Sequence, residues 1–326
     1  MDLRSYLALL AFAIPALAQA PNPFRATRPG IKEVQVPFSS LKAANTFNVG
    51  GHADWIAVSD RSVWVATSEP NTVQEIDPVA NKIVAKVLVS GEPCSGLALG
   101  FGSLWVPLCT TPPSLARVDI DKKIISATLP FGPAASEGGI AASVDSIWLV
   151  TDMNGTLARI DPATNRLKQQ IKVPRGSQNM RTFEGKIWVT SMPDNSITSV
   201  DAESGEVLLS IRTGPGPHFI AVGERSVWTL NQGDGTVTRI DAKTRVTETI
   251  QTGLPGKGGD ICFGEGALWT TIFSIPLGRI DTATNRVTRQ WTGSGGDSLG
   301  CGEQSLWLTD YERGLLQRFD YGELGR

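Results

Sequence analysis

Apolar and polar residues alternate along this chain in short runs of four to seven positions, and the runs recur. Leu104-Trp105-Val106-Pro107-Leu108 is one, and Leu115-Ala116-Arg117-Val118-Asp119 is the next. A two-residue alternation predicts half-buried β-strands, and glycine-, proline- and aspartate-rich spacers between the runs predict tight turns. The second run of each group carries a tryptophan: Trp64, Trp105, Trp148, Trp188, Trp228, Trp269 and Trp307, spaced 41, 43, 40, 40, 41 and 38 residues apart. About a dozen residues later comes an apolar residue followed by an aspartate, at Asp77, Asp119, Asp161, Asp201, Asp241, Asp281 and Asp320. A period near 40 marks a repeat architecture. Its strand-rich alternation, with no sustained 3.6-residue pattern, excludes helical solenoids.

Four strands per repeat and seven repeats predict an all-β, seven-bladed β-propeller of four-stranded antiparallel blades. The tryptophans are expected to fill the wedges between blades, where truncation to alanine costs about 3–5 kcal/mol. Trp55 and Trp291 fall outside that register, and Trp291 is expected at a surface or edge. The recurring aspartates read as turn-formers, because Asp accepts hydrogen bonds within its own turn. The last repeat ends shortly after Asp320 and lacks a fourth strand. The alternating segment 31–37 resembles a fourth strand and has no blade. It is therefore expected to pair with strand three of the last blade and close the ring, with 38–51 as a linker and the first full repeat starting near Ala53. Closure removes open sheet edges.

The first residues follow another pattern. Arg4, an apolar run from Tyr6 to Leu17 and Ala18-Gln19-Ala20 form a secretory signal peptide over 1–20. A flexible arm over 21–30 and a single propeller domain over 31–326 are expected after it. The product would be exported, periplasmic or secreted, with no transmembrane span after signal removal, and monomeric. The chain has 30 basic and 32 acidic residues in 326, with no basic stripe, which removes the electrostatic case for nucleic acid.

Four cysteines in an exported chain permit disulfides. Cys94 and Cys109 lie seven residues either side of the Phe101-Gly102 turn and should face each other across a hairpin. Such a bridge contributes roughly 3 kcal/mol by loop closure. Cys262 and Cys301 sit on the first strands of consecutive blades, where a second bridge and two buried thiols are both open.

The first strand of each blade should line the central channel. Aligned on Ala57, Ala98, Ala141, Arg181, Ala221, Cys262 and Gly300, the repeats place Asp54, Gln178, His218 and Asp297 at one height. Trp55, Asn179 and Asp260 come one position further on, with Glu137 and His52 near. Glycines between them are expected to leave room for a ligand, and Arg181 puts a charge in the channel wall. This ring predicts a mouth that binds a small molecule, peptide or envelope protein. The chemical alternative is a divalent cation, Mg or Ca, held by Asp54, Asp260 and Asp297, with His218 as general base. A purely structural envelope component is the third reading.

The stretch Gly100-Phe101-Gly102-Ser103-Leu104-Trp105-Val106, with Arg159-Ile160-Asp161-Pro162-Ala163-Thr164-Asn165-Arg166, resembles the virginiamycin B lyase-like (streptogramin lyase) propellers and the related YVTN-repeat propellers. The likeness covers roughly 53–320. It implies a seven-bladed propeller and, for the lyases, a magnesium-dependent C–O lyase that opens a cyclic depsipeptide by proton abstraction, using glutamates and histidines at the channel mouth. Gly216-Pro217-His218-Phe219-Ile220-Ala221 is similar to that family's histidine-bearing entry. The acidic residue that often follows the family's second-strand tryptophan appears as Asp152 and Asp310, with Glu69 displaced. The YVTN likeness implies an exported binding or scaffold protein.

Overall fold

A computed structural model describes residues 30–256, 258–302 and 304–325. The expected signal peptide and nearly all of the expected arm lie outside them. Seven sheets are arranged as successive blades. Blade 1 runs from the channel outward as His52–Val58, Val63–Ser68, Thr72–Asp77 and Lys82–Leu88. The inner strands of blades 2 to 7 are Ala98–Gly100, Ile140–Ala142, Ser177–Phe183, Pro217–Gly223, Asp260–Gly264 and Leu299–Gly302. Each blade is antiparallel and turns tightly at its base. In blade 2 Phe101 and Gly102 both have positive φ, 57° and 64°, the geometry of a two-residue hairpin turn.

The ring closes through the N-terminus, but not through the segment the sequence suggested. Asn45–Asn48 is the fourth strand of blade 7, antiparallel to Leu315–Asp320, with Thr46 opposite Gln317. Phe47 is buried there against Trp307, with ring centroids 6.0 Å apart. The reason is reach. A blade's fourth strand must end close to the next inner strand, and Asn48 is four residues from His52, whereas Pro37 is fifteen. Residues 31–37 are an outer strand elsewhere. Gln35–Pro37 adds a fifth, parallel strand to blade 6, pairing with Gln290–Thr292. That contact covers Trp291, which is 3% exposed and not the surface residue expected.

The seven repeat tryptophans are essentially inaccessible, none more than 2% exposed. A second repeated device holds the blades together. In blades 2, 5 and 7 a third-strand arginine lies over its own blade's tryptophan: Arg117 on Trp105, Arg239 on Trp228 and Arg318 on Trp307. Each donates from Nε to a serine at the head of the tryptophan strand, Ser103, Ser226 or Ser305. Each then reaches across the seam to a turn carbonyl and an asparagine of the next blade: Pro162 and Asn165, Thr282 and Asn285, Pro78 and Asn81. Arg318 thus ties the last blade to the first. In blade 1 Glu75 occupies the arginine position and pairs with Lys123 of blade 2. In blade 4 the position is Ser199.

Six of the seven repeat aspartates are turn-formers, as expected, whereas Asp320 makes no side-chain bond to the short helix it precedes. The Asp77 carboxylate accepts from the Val79 and Ala80 amides, both at 2.8 Å, and these bonds hold it below the usual carboxylate range. Two disulfides are present: Cys94–Cys109 within blade 2, and Cys262–Cys301 between the inner strands of blades 6 and 7. Among the described residues no helix is long and apolar enough to cross a membrane.

Candidate functional site

The inner-strand alignment holds in the folded chain. Ala57, Ala98, Ala141, Arg181, Ala221, Cys262 and Gly300 each pair with the tryptophan of their own blade, so they lie at one level of the channel. The ends of the inner strands before that level meet the turns between second and third strands, and together they form a mouth. A cavity of about 680 Å³ opens there, lined by Asp54, Trp55, His218 and Asp297 of the expected set. Glu137 also lines it, with Glu92, Phe273, Tyr311 and Glu312 from the loops. Those loop residues have no repeat register. The signal that could have found them is topological: every second-to-third-strand turn lies at the same end as the start of the inner strand.

Trp55 and Phe219 form the floor. They come from blades 1 and 5, and their rings approach to 6.2 Å across the channel. Both are buried, at 5% and 4% exposure. An aromatic pair of this size closes the passage below the mouth.

His218 is clamped. Its Nε2 lies 2.7 Å from the Glu137 main-chain carbonyl, which can only accept, so the proton sits on Nε2. Nδ1 lies 3.2 Å from Gln232 Oε1, so with the proton on Nε2 this contact is a hydrogen bond when the Gln232 amide is turned to present its NH2, and the ring stacks on Phe219 at 4.4 Å. Burial lowers the histidine pKa, against its two hydrogen bonds, which raise it. His218 thereby ties blade 5 to the 131–139 loop.

The carboxyl groups are pushed the other way. Burial raises Glu137 to about 7, with Asp297 and Asp260 adding to it. Burial also raises Asp297 to about 6, opposed by its hydrogen bond with Asp54 and reinforced by Asp260 and Asp310. Asp54 is raised well above its ordinary value by burial first, then by Asp297 and Glu137. Asp54 and Asp297 are in hydrogen-bond contact, so the two carboxyls titrate as a pair, and ionising both is costly. Ser298 Oγ donates to Asp54 at 2.8 Å and fixes the pair.

Other expected residues lie apart. Asp260 is buried and accepts from the Ile261 amide at 2.7 Å and the Leu299 amide at 2.9 Å, so it ties blade 6 to blade 7. Asn179 is buried beneath the mouth with its side-chain oxygen unpaired. Gln178 points to Met153, and His52 stacks behind Tyr311 at 4.6 Å. Arg181 lies beyond the aromatic floor. The glycines Gly96, Gly138 and Gly139 do not make room. They let blades touch: Gly96 N donates to Gly138 O and Gly139 N to Gln178 O, and a Cβ on Gly139 would stand 2.7 Å from Met180 N. Gly258 and Gly259 do line the cavity. Among the described residues no three acidic, histidine or cysteine side chains converge as ligands of one cation.

No protein-family model and no curated protein matches the sequence. A solved structure of streptogramin B lyase is similar in shape, with a TM-score of 0.70 at 17% identity, over 84% of this chain and 96% of that one. The chain has the fold of streptogramin B lyase. Similarity over nearly the whole lyase chain agrees with the repeat count and with the resemblance drawn from the Trp-Val and Arg-Ile-Asp motifs.

Proposed function

We propose that this is an exported propeller that binds a small molecule or peptide at the acidic mouth, and that the ligand carries a positive charge on an apolar body. The observation that carries this reading is the lining of the 680 Å³ cavity. It has five carboxyl groups (Asp54, Glu92, Glu137, Asp297 and Glu312) and four aromatic rings (Trp55, Phe219, Phe273 and Tyr311). No lysine or arginine is among the described residues that line it. A cation entering such a site is attracted by the carboxylates and by the ring faces, and the aromatic floor takes the apolar part. Export is supported by the apolar N-terminal run and the two disulfides.

Calorimetry with phenethylamine and with phenylacetate tests this. The amine should bind and the acid should not, and Asp297→Asn should weaken the amine by about tenfold, the scale of one lost charged contact. Equal binding of both probes, or none of the amine at tens of millimolar, would refute it.

The lyase-like fold favours a second reading, a lyase or lactone hydrolase at the same mouth. His218 could serve as its base only after releasing Gln232, since both ring nitrogens are engaged. Asp260 has committed both carboxylate oxygens to main-chain amides, so no step is assigned to a metal. A thermal-shift screen with magnesium, calcium and manganese separates the readings, and a shift with any of them, lost on Asp54→Asn, would favour the enzyme.

A further inference from the structure

The channel has a second opening. On the far side of the Trp55–Phe219 floor the inner strands enclose a funnel of about 470 Å³, lined by three residues from nearly every blade. Apart from Arg181 and Thr182 its lining side chains are apolar or small, Leu99, Val222 and Phe263 among them, while main-chain groups and Arg181 leave about half of the exposed wall polar. Six of the seven positions in that ring are alanine, cysteine or glycine. The seventh is Arg181.

Arg181 is poorly paired for a charge so deep. Its Nη1 donates to the main-chain oxygen of Met180 at 3.0 Å. Among the described residues no carboxylate stands within 4.0 Å of it. Asp260 acts on it from a distance, but both oxygens of that carboxylate are held by the Ile261 and Leu299 amides. Arg181 is only partly buried, so its remaining donors face the open funnel rather than a protein partner and are free to meet a ligand. Arg117, Arg239 and Arg318 differ: each donates to a serine, a carbonyl and an asparagine. The small residues around Arg181 leave free volume beside it, and that volume belongs to the funnel.

We propose that this funnel is an anion site separate from the acidic mouth, anchored by Arg181, and that it takes a small monocarboxylate with a short aliphatic body. One cation among otherwise uncharged side chains matches one negative charge, and the planar guanidinium fork matches a carboxylate edge-on. A phosphate dianion would need more charged donors than the funnel supplies. The apolar side chains receive the ligand's chain. The two openings then have opposite charge preference and are kept apart by the aromatic floor.

Calorimetry at pH 7 with hexanoate, hexylamine and inorganic phosphate tests the site on the wild-type protein and on Arg181→Met, Arg181→Lys and Asp297→Asn. Hexanoate should bind the wild type one to one. Arg181→Met should weaken it roughly tenfold to a hundredfold, the range for a charge-assisted hydrogen-bonded pair. Arg181→Lys, which keeps the charge and loses the fork, should fall between. Asp297→Asn, at the other opening, should leave hexanoate unchanged, so the outcome is independent of the reading of the mouth. Arg181→Lys serves if the methionine variant does not fold. Equal hexanoate affinity in wild type and the folded Arg181 variants overturns the proposal. So does the absence of hexanoate binding at tens of millimolar, or tighter binding of phosphate than of hexanoate.

Discussion

Asp297→Asn should stabilise the protein more at pH 8 than at pH 5. In the unfolded chain this carboxyl titrates near 3.8, and in the folded protein near 6. Between those values the native state keeps a proton that the unfolded state has lost. Stability contributed by such a group is greatest below the unfolded value, falls as pH rises through the window, and is fully lost above the folded value. A shift of about two units corresponds to about 3 kcal/mol at 1.36 kcal/mol per unit. Roughly 1.6 kcal/mol of it is already lost at pH 5, about 1.2 units above the unfolded value, and part of the rest belongs to the pairing with Asp54 and survives substitution, so the gain at pH 8 should exceed that at pH 5 by about 1 kcal/mol. Asparagine keeps the shape and can still hydrogen-bond Asp54. The assay is urea unfolding of both proteins at pH 5 and pH 8, read by tryptophan fluorescence with the disulfides intact. The quantity of interest is the change in the variant-minus-wild-type difference between the two pH values. If that double difference is below about 0.5 kcal/mol, or if the variant loses stability at pH 8, the two carboxyls are not held against their ionisation and the electrostatic description of the mouth fails. Such a cost, retained in the native protein, is what a site pays in stability for ligand affinity.

Arg318→Ala should destabilise the fold by about 2–4 kcal/mol in the same unfolding assay, because it removes a stacked cation and the hydrogen bonds that join blade 7 to blade 1. Arg117→Ala should cost a similar amount, whereas Ser199→Ala, at the seam without an arginine, should cost little. Removing residues through Leu41 should expose Trp291 and red-shift the tryptophan emission while the ring stays closed. Removing residues through Asn48 should instead open blade 7 and abolish cooperative unfolding.

The blade count, the wedge tryptophans and the aspartate turns could be read because each is repeated six or seven times, and repetition separates signal from accident. Cys94–Cys109 was legible from hairpin symmetry about Phe101-Gly102. The mouth was legible only where it draws on the inner strands, at Asp54, Trp55, His218 and Asp297. Tyr311 and Phe273 escaped because turns between strands carry no register. Gln178 and Asn179 share the height of the ring, but side chains at the start of a blade's inner strand turn toward a neighbouring blade as readily as toward the axis. Arg181 sits one strand level deeper, and nothing in a one-dimensional alignment tells which side of an aromatic plug a residue will occupy. The closing strand was misplaced because alternation marks an outer strand without saying in which direction it pairs. The short distance from Asn48 to His52 was the better guide.

The pairing of Thr46 with Gln317 joins positions about 270 residues apart. At synthesis rates of about 5–20 residues per second, the earlier of the two waits on the order of 15–50 seconds for the later to exist. During that interval Asn45–Asn48 is a ribbon without a mate. It is four residues long, and asparagine occupies both of its ends, a brief and polar edge that offers little to a wrong partner. The part of the domain that is made first is therefore the part that is seated last, and the architecture is complete only when the terminal turn of the polypeptide comes back to meet it.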